Sequence, residues 1–157
     1  MRTRTILVLE DSDEDFATVQ DAARCASLPQ TIVRASSGCD CLRLLRGDQQ
    51  GREAVPLLVL LDLDTPGDDG REALRVIRQD QALKTLPLVV LTASANPRDL
   101  QFCYAGGANA YHVKPMEYTL HLQMLQQIFA YWLGSVVLPA STLPALNVKN
   151  APTHPAD

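Results

Sequence analysis

Leu57-Leu58-Val59-Leu60-Leu61 runs directly into Asp62-Leu63-Asp64. Five apolar residues without alternation predict a strand buried on both faces, which is typical of a parallel sheet covered by helices on both sides. Two acids stand where this strand ends, and parallel sheets place functional groups at such ends. The segment therefore predicts both a sheet interior and a polar site at the edge of the sheet.

Shorter apolar segments predict four further strands, at residues 6–9, 31–33, 88–91 and 110–113. Amphipathic segments predict helices at 12–27, 38–46, 97–105 and 117–133, and one more anchored by Leu74, Ile77 and Leu83. This alternation predicts an α/β fold in which five helices flank a doubly wound, five-stranded parallel sheet. We expect one domain over residues 1–134. The proline-rich residues 135–157 are expected to form an extended or disordered C-terminal arm.

Composition and charge indicate the cellular compartment of the protein and whether it binds nucleic acid or membranes. The net charge of −4 gives no broad attraction to phosphate groups, and the residues after 134 are too few for a DNA-binding domain. No apolar run approaches the roughly 20 residues of a membrane span, and the run at 6–9 is too short for a signal peptide. We therefore expect a cytoplasmic protein that binds neither nucleic acid nor membranes.

The cysteines and two of the histidines match no metal-binding pattern. We expect the thiols to be small, buried or half-exposed side chains in a reducing compartment: Cys25, Cys39, Cys41 and Cys103. His112 and His121 are expected to be partly exposed and to bind no metal. These residues are therefore assigned no chemistry.

Polar side chains that folding does not require stand at the ends of four predicted strands. They are Glu10 and Asp11 after the first strand, Asp62 and Asp64 after the third, Thr92 at the fourth and Lys114 after the fifth. Because the carboxyl ends of parallel strands meet at one edge of a sheet, we expect these groups to converge. The alternative is that the acids are solvated separately, with the lysine in a surface ion pair.

Converging carboxylates repel one another unless a cation neutralises them. Hard oxygen ligands suit Mg²⁺, which favours a partly hydrated site completed by a phosphate oxygen. A carboxylate is itself a nucleophile towards phosphorus and gives an aspartyl phosphate. The pattern thus indicates Mg²⁺-dependent chemistry on Asp62, with Thr92 and Lys114 stabilising the transferring group.

The ordered set of motifs resembles the response-regulator receiver family over residues 5–133. The matching motifs are Glu10-Asp11, Asp62-Leu63-Asp64-Thr65-Pro66, Asp69-Gly70, Leu91-Thr92-Ala93 and Val113-Lys114-Pro115. The resemblance implies a flavodoxin-like receiver fold and a two-component signalling protein that accepts a phosphoryl group from a histidine kinase. It implies a phosphoacceptor that catalyses only its own phosphorylation and dephosphorylation, and is otherwise no enzyme.

The resemblance also implies a role for each residue of the acidic set. Asp62 is the implied phosphoacceptor. The implied Mg²⁺ site consists of Asp62, Asp11, the backbone carbonyl of Asp64, and Glu10, which would bind the metal directly or through water. Two positions depart from the common pattern: Glu10 stands where the family more often has Asp, and Asp64 where Asn or another residue is frequent. These departures bear on metal affinity and on the rate of dephosphorylation.

The remaining implied roles concern the phosphoryl group and the conformational switch. Thr92 and Lys114 would hold the phosphoryl group, and Thr92 and Tyr111 would form the switch. Tyr111 lies three residues before the lysine, as the family's aromatic switch residue does. The alternative interpretation of Tyr111 is an ordinary strand aromatic that packs on a helix.

Softer motifs are similar to those of single-domain regulators paired with phytochrome-type histidine kinases. They are the segments 69–74 (DGREAL) and 83–87 (LKTLP), the long loop 47–56, and the ending 132–139 (WLGSVVLP). A phytochrome-type histidine kinase is therefore the expected partner.

The last predicted helix carries two apolar stripes, whereas packing on the sheet requires one. One stripe contains Leu120, Met124, Ile128 and Tyr131/Trp132, and the other contains Tyr118, Leu122, Leu125, Phe129 and Leu133. The second stripe predicts a homodimer through strand five, the last helix and the C-terminal arm. The alternative is one wide buried face with tyrosine and tryptophan at its margins.

Two other functions stay open on the sequence alone. Asp62 and Asp64 also resemble the first motif of haloacid-dehalogenase-type phosphatases, but Pro66 stands where that family has a threonine. Only Glu117 and Asp157 follow the lysine, where that family needs an acidic metal-binding motif. The third possibility is an interaction module that works without phosphorylation.

Overall fold

The computed structural model describes residues 4–46, 55–64 and 69–139. Its centre is a five-stranded sheet in the order β2-β1-β3-β4-β5, in which all neighbouring strands are parallel. The strands are β1 (Thr5–Leu9), β2 (Thr31–Ala35), β3 (Leu58–Leu61), β4 (Leu88–Thr92) and β5 (Ala110–Val113). This order is that of the flavodoxin-like doubly wound sheet, with its switch point between β1 and β3. The predicted fold class is confirmed.

Five α-helices connect and follow the strands: α1 (Asp13–Cys25), α2 (Gly38–Arg46), α3 (Asp69–Gln79), α4 (Pro97–Ala105) and α5 (Tyr118–Phe129). Local chemistry sets several of their boundaries. Ser12 caps α1, because its hydroxyl oxygen accepts a hydrogen bond from the N–H of Asp15 at 3.2 Å. Asn96 caps α4, whose first residue is Pro97. Gly107 follows α4 with a φ of 97°, a left-handed conformation that favours glycine.

The helices cover both faces of the sheet, and β3 is fully enclosed. Every residue of Leu58–Leu61 is 0% exposed, as its unbroken apolar run predicts. On one face the sheet packs against α1 and α5, with Val19 and Leu125 in the contact. On the other face it packs against α2, α3 and α4, with Leu74 and Ile77 in the contact. The two layers fix where each strand ends, and so where its polar residues stand.

The last helix differs from the prediction. The α-helix ends at Phe129 and continues as a π-helical segment, Ala130–Ser135. Its buried residues are His121, Leu125, Ile128 and Phe129, so the core face mixes members of both predicted stripes. The expectation that His121 is partly exposed is wrong. This residue is only 4% exposed, because it lies on the buried side of a helix that packs against α1.

Several sequence predictions concern residues at the margins of the described structure. The predicted domain boundary at Gly134 falls inside the π-helical segment. Residues 140–157 of the predicted arm, most of the long loop and the turn at 65–68 lie outside the described residues. Across residues 4–46, 55–64 and 69–139, no helix combines the length and the apolar character that a membrane crossing requires.

Candidate functional site

Backbone hydrogen bonds continue the strand pairing beyond the strand ends and bring polar residues side by side. The N–H of Asp62, just after β3, donates to the carbonyl oxygen of Leu9 in β1 at 3.1 Å. The N–H of Lys114, just after β5, donates to the carbonyl oxygen of Thr92 in β4 at 2.7 Å. The sheet itself therefore sets the spacing of the residues at its edge.

Three carboxylates meet at this edge. One oxygen from each of Glu10, Asp11 and Asp62 lies within 4.8 Å of the other two. Glu10 and Asp62 are 4% and 3% exposed, and Asp11 is exposed. Negative charges this close repel, and oxygen atoms are the ligands that Mg²⁺ and similar cations prefer. The donor set thus fits a divalent cation, and the expected convergence of these three residues is found.

Lys114 is the cationic partner of this cluster. Its Nζ atom lies 2.5 Å from Glu10 Oε2, 2.8 Å from Asp62 Oδ2 and 3.0 Å from Asp15 Oδ2. Burial alone would lower the pKa of the Lys114 ammonium group. The charges and hydrogen bonds of Glu10 and Asp62 outweigh that effect and raise its pKa above the usual value. Lys114 is therefore a buried cation, and the alternative of a surface ion pair is wrong.

Burial also changes the acid–base behaviour of Glu10. It raises the pKa of this carboxyl to about 7, although the charge and the hydrogen bond of Lys114 act in the opposite direction. The Oε1 atom accepts a hydrogen bond from the N–H of Ser12 at 3.1 Å. Ionised Glu10 at neutral pH consequently costs free energy in the folded protein, and a bound cation would remove part of that cost.

Both carboxylate oxygens of Asp62 are oriented by hydrogen bonds. Oδ1 accepts from the N–H of Asp64 at 2.9 Å, and Oδ2 accepts from Lys114. Gly70 lies against the backbone of Asp62, where a Cβ atom would collide with the Asp62 carbonyl oxygen. This close approach explains why glycine stands in the Asp69-Gly70 motif. Asp62 is thus a buried, fixed carboxylate beside a cation, which suits a nucleophile.

Thr92 is the last residue of β4, the strand that pairs with β3, and it is fully buried. Its hydroxyl donates to Oδ2 of Asp64 at 2.7 Å. The N–H of Ala93 donates to the same oxygen at 2.9 Å. Asp64 therefore contacts the site twice. Its N–H donates to the Asp62 carboxylate, and its own carboxylate accepts from Thr92 and Ala93.

Comparison with known proteins identifies the family of this chain. Residues 6–126 match the model of the response regulator receiver domain family. The chain belongs to this family. Response regulator Rcp1 of Synechocystis sp. (strain ATCC 27184 / PCC 6803 / Kazusa) is 36% identical over 141 residues, which cover 88% of this chain and 95% of Rcp1. The Asp62 motif left open a second family, the haloacid-dehalogenase-type phosphatases, and the match assigns the chain to the receiver family instead.

Solved structures with this fold include two response regulators of similar length. The structure of the phosphorylated cyanobacterial phytochrome response regulator RcpA matches with a TM-score of 0.83 at 32% identity, covering 88% of this chain and 99% of RcpA. The Mn²⁺-bound structure of Rcp1 matches with a TM-score of 0.82 at 34% identity, covering 87% of this chain and 99% of Rcp1. The receiver domain is thus similar to these proteins over nearly their whole length.

In this receiver domain, hydrogen bonds connect Thr92 to Tyr111. The N–H of Ser94 donates to the Thr92 hydroxyl oxygen at 3.2 Å, and the Tyr111 hydroxyl donates to the carbonyl oxygen of Ser94 at 2.7 Å. The hydroxyl of Ser94 donates to Asp99 at 2.6 Å, and Asp99 forms an ion pair with Arg71 of α3. A continuous set of polar contacts therefore runs from the site to α3, α4 and β5.

Two parts of the site are absent from the sequence predictions. One is Asp15, which contacts Lys114. From the sequence it is only one of three acids in the first turn of α1. No helical spacing connects Asp15 to the acids at the strand ends, because Asp11 precedes Ser12, the N-cap of α1. Ser94 and Asp99 follow no recognisable pattern, because their contacts depend on how the loop after β4 folds back.

Proposed function

We propose that this receiver domain accepts a phosphoryl group on Asp62 from a histidine kinase, in a Mg²⁺-dependent reaction, and signals through a changed protein-interaction surface. The observation that carries the proposal is the buried Asp62 carboxylate, which lies 2.8 Å from Lys114 Nζ and is grouped with two more acids. Burying several charges costs the fold free energy that their mutual attraction barely offsets. A chemical role accounts for the arrangement better than a structural one.

The proposed transfer is a displacement at phosphorus. A carboxylate oxygen of Asp62 attacks the phosphorus of a phosphohistidine on the kinase. The N–P bond breaks as the new O–P bond forms, and its electron pair returns to the imidazole nitrogen. Lys114 offsets the negative charge of the phosphoryl oxygens, and the hydroxyl of Thr92 donates a hydrogen bond to them. Attack by water later releases inorganic phosphate and restores the carboxylate.

The proposed cation is held by Glu10, Asp11 and Asp62, with the backbone carbonyl of Asp64 as a further ligand. When bound, Mg²⁺ supplies positive charge that neutralises the carboxylates and the phosphoryl oxygens. Two observations support this assignment. The three carboxylates converge without enough positive charge to balance them, since Lys114 is the one side chain that forms ion pairs with Glu10 and Asp62 among the described residues. Rcp1 has also been solved with Mn²⁺ bound.

We infer that the phosphodonor is a phytochrome-type histidine kinase. The softer motifs support this, and RcpA is described as a phytochrome response regulator. The test compares two kinases that carry radiolabelled phosphohistidine, one of the phytochrome type and one from another sensor class. We expect faster transfer from the phytochrome-type kinase and no transfer to Asp62→Asn from either. Equal transfer from both kinases to the wild-type domain would refute the assignment of the partner.

We further propose that the output surface lies at β5 and α5, with a homodimer braced by the C-terminal arm and with no DNA-binding output. Val113, Met116, Tyr118 and Leu120 are large apolar residues that remain exposed there. A second copy of the chain would cover them. Phosphorylation adds a charge of about −1.5 to −2 next to Thr92, and the hydrogen bonds through Ser94 and Tyr111 connect Thr92 to β5.

Sedimentation velocity at micromolar concentration tests the dimer. We expect the intact protein to sediment as a dimer, and Leu120→Glu and a chain ending at Gly134 to shift towards the monomer. Gln20→Glu is the matched control, because Gln20 is an exposed residue of α1, outside the proposed surface, and its substitution adds the same charge. A monomeric intact protein, with and without phosphorylation, would refute the dimer and leave the apolar surface to the kinase.

A further inference from the structure

The side chain of Asp64 occupies two hydrogen-bond donors at the end of β4, the strand that pairs with β3, which leads into Asp62. One carboxylate oxygen accepts from the Thr92 hydroxyl at 2.7 Å and from the Ala93 N–H at 2.9 Å. Asp64 is an exposed residue, so packing does not force its side chain into this position. The two hydrogen bonds to an ionisable acceptor are the interactions that hold it there.

A phosphoryl group on Asp62 needs donors of this kind. Its oxygens carry negative charge and accept several hydrogen bonds. Asp62 and Asp64 are two residues apart, and the N–H of Asp64 already donates to Asp62 at 2.9 Å. The phosphoryl group and the Asp64 carboxylate would therefore compete for Thr92 and Ala93, and two anions on the same donors would also repel each other.

We propose that the Asp64 carboxylate is an internal surrogate for the phosphoryl group: it occupies Thr92 and Ala93 in the unphosphorylated protein and must leave when Asp62 is phosphorylated. This inference rests on the proposed function of Asp62 and deepens it. Asp64 is a positioning residue in this scheme, since it acts on the transferring group through the donors that it withholds.

The contacts of Thr92 show what the surrogate holds in place. The hydroxyl oxygen that donates to Asp64 also accepts the N–H of Ser94, whose carbonyl oxygen accepts the Tyr111 hydroxyl. Asp64 thus fixes the orientation of the Thr92 hydroxyl, where the hydrogen bonds that lead to Tyr111 begin. When the Thr92 hydroxyl donates to the phosphoryl group instead, it turns away from Asp64, and the hydrogen bonds through Ser94 to Tyr111 rearrange. The resting arrangement is stabilised by Asp64 for as long as Asp62 is free.

The first experiment tests the contact itself, without metal or phosphoryl group. The amide signal of Ala93 in a ¹H–¹⁵N NMR spectrum reports the hydrogen bond to Asp64. In Asp64→Ala we expect this amide proton to move upfield and to exchange with solvent about tenfold faster, because its acceptor is gone. Glu14→Gln removes the same charge from an exposed residue of α1 and should leave the Ala93 signal in place. An unchanged Ala93 amide in Asp64→Ala would overturn the inference.

The second experiment tests the competition with beryllofluoride, a mimic of the phosphoryl group, at a Mg²⁺ concentration that saturates each variant. Asp64→Ala should bind beryllofluoride about fivefold more tightly than the wild type, which corresponds to one hydrogen-bonded competitor removed. Asp64→Asn should lie between them, because a neutral acceptor holds the donors less strongly. Glu14→Gln should match the wild type.

The outcomes separate this inference from the proposed function. Equal or weaker beryllofluoride binding in Asp64→Ala, while the wild type binds it, would refute the surrogate role and leave phosphorylation of Asp62 intact. Failure of every variant and of the wild type to bind beryllofluoride would refute the proposed function, and the surrogate role with it. Tighter binding in Asp64→Ala together with a displaced Ala93 amide supports both.

Discussion

The Nζ atom of Lys114 lies 2.8 Å from Oδ2 of Asp62, and the two side chains are 8% and 4% exposed. An ion pair at this depth adds little to stability, because removing both charges from water costs about as much as their attraction returns. Its position has a clearer chemical use. The ammonium group is already in place beside Asp62. It would therefore stabilise the negative charge of an incoming phosphoryl group without any rearrangement of the site. In the proposed function, the remaining acids would hold a divalent cation at the same edge.

Asp11 provides the most direct test of the cation site. Asp11→Ala should weaken Mg²⁺ binding and slow phosphorylation by at least about tenfold, which is ~1.4 kcal/mol of transition-state stabilisation. The fold should remain intact because Asp11 is exposed. Titration calorimetry measures the affinity, and circular dichroism checks the fold. Glu14→Gln removes an exposed charge from the same region and should bind Mg²⁺ like the wild type. Unchanged Mg²⁺ affinity in Asp11→Ala would remove this residue from the site.

Glu10 predicts a pH dependence of stability in the absence of metal. Its pKa rises from 4.5 to about 7 on folding, so between these pH values the folded state binds the proton more tightly than the unfolded state. Stability therefore falls as pH rises through this window, by up to about 3 kcal/mol. Glu10→Gln cannot ionise and should lack this component.

Urea unfolding in a chelator, at about pH 5 and about pH 8, measures the effect. The free energy of unfolding of Glu10→Gln relative to the wild type should be higher at the alkaline pH than at the acidic one. Added Mg²⁺ should recover part of the loss in the wild type, since a cation bound only by the folded state stabilises it. A relative stability that is the same at both pH values would contradict the burial-driven pKa shift of Glu10.

Much of the fold and of the acidic edge follows from sequence. The apolar run of β3 indicates burial on both faces, and the strand-end rule places Asp62, Lys114 and Thr92 together at one edge of the sheet. These predictions succeed because they depend on a strand pattern and on parallel topology alone. The assignment of Pro97 to the first turn of α4 succeeds for a local reason, its fixed φ.

Other features depend on tertiary contacts that no local pattern encodes. The Asp64 carboxylate turns towards Thr92, and nothing in its own segment selects that partner over solvent. Burial of His121 follows from how α5 meets α1, and the two apparent stripes of α5 merge because the helix carries one broad core face around Leu125. The π-helical segment that begins at Ala130 likewise has no signal in an amphipathic pattern.

The four cysteines should differ sharply in reactivity. Cys25 and Cys39 are exposed, whereas Cys41 and Cys103 are buried. Burial raises the pKa of the Cys41 thiol to about 12 and that of the Cys103 thiol to about 11, so neither forms an appreciable amount of thiolate at about pH 8. Iodoacetamide should therefore modify two cysteines in the native protein and all four in urea, as counted by mass spectrometry. Rapid native modification of Cys41 would contradict the buried position of α2 against the core.

Phosphorylation of Asp62 is the most direct test of the proposed function. The wild-type protein should gain one phosphoryl group from a small-molecule phosphodonor in the presence of Mg²⁺, detected by intact-protein mass spectrometry, and the group should be labile in both acid and base, as an acyl phosphate is. Removal of Mg²⁺ with a chelator should prevent the gain. Asp62→Asn should gain nothing, and Asp13→Asn, which changes an exposed acid of α1, should behave like the wild type. Stoichiometric modification of Asp62→Asn, or a wild-type protein that stays unmodified with every donor, would show that Asp62 is not the phosphoacceptor.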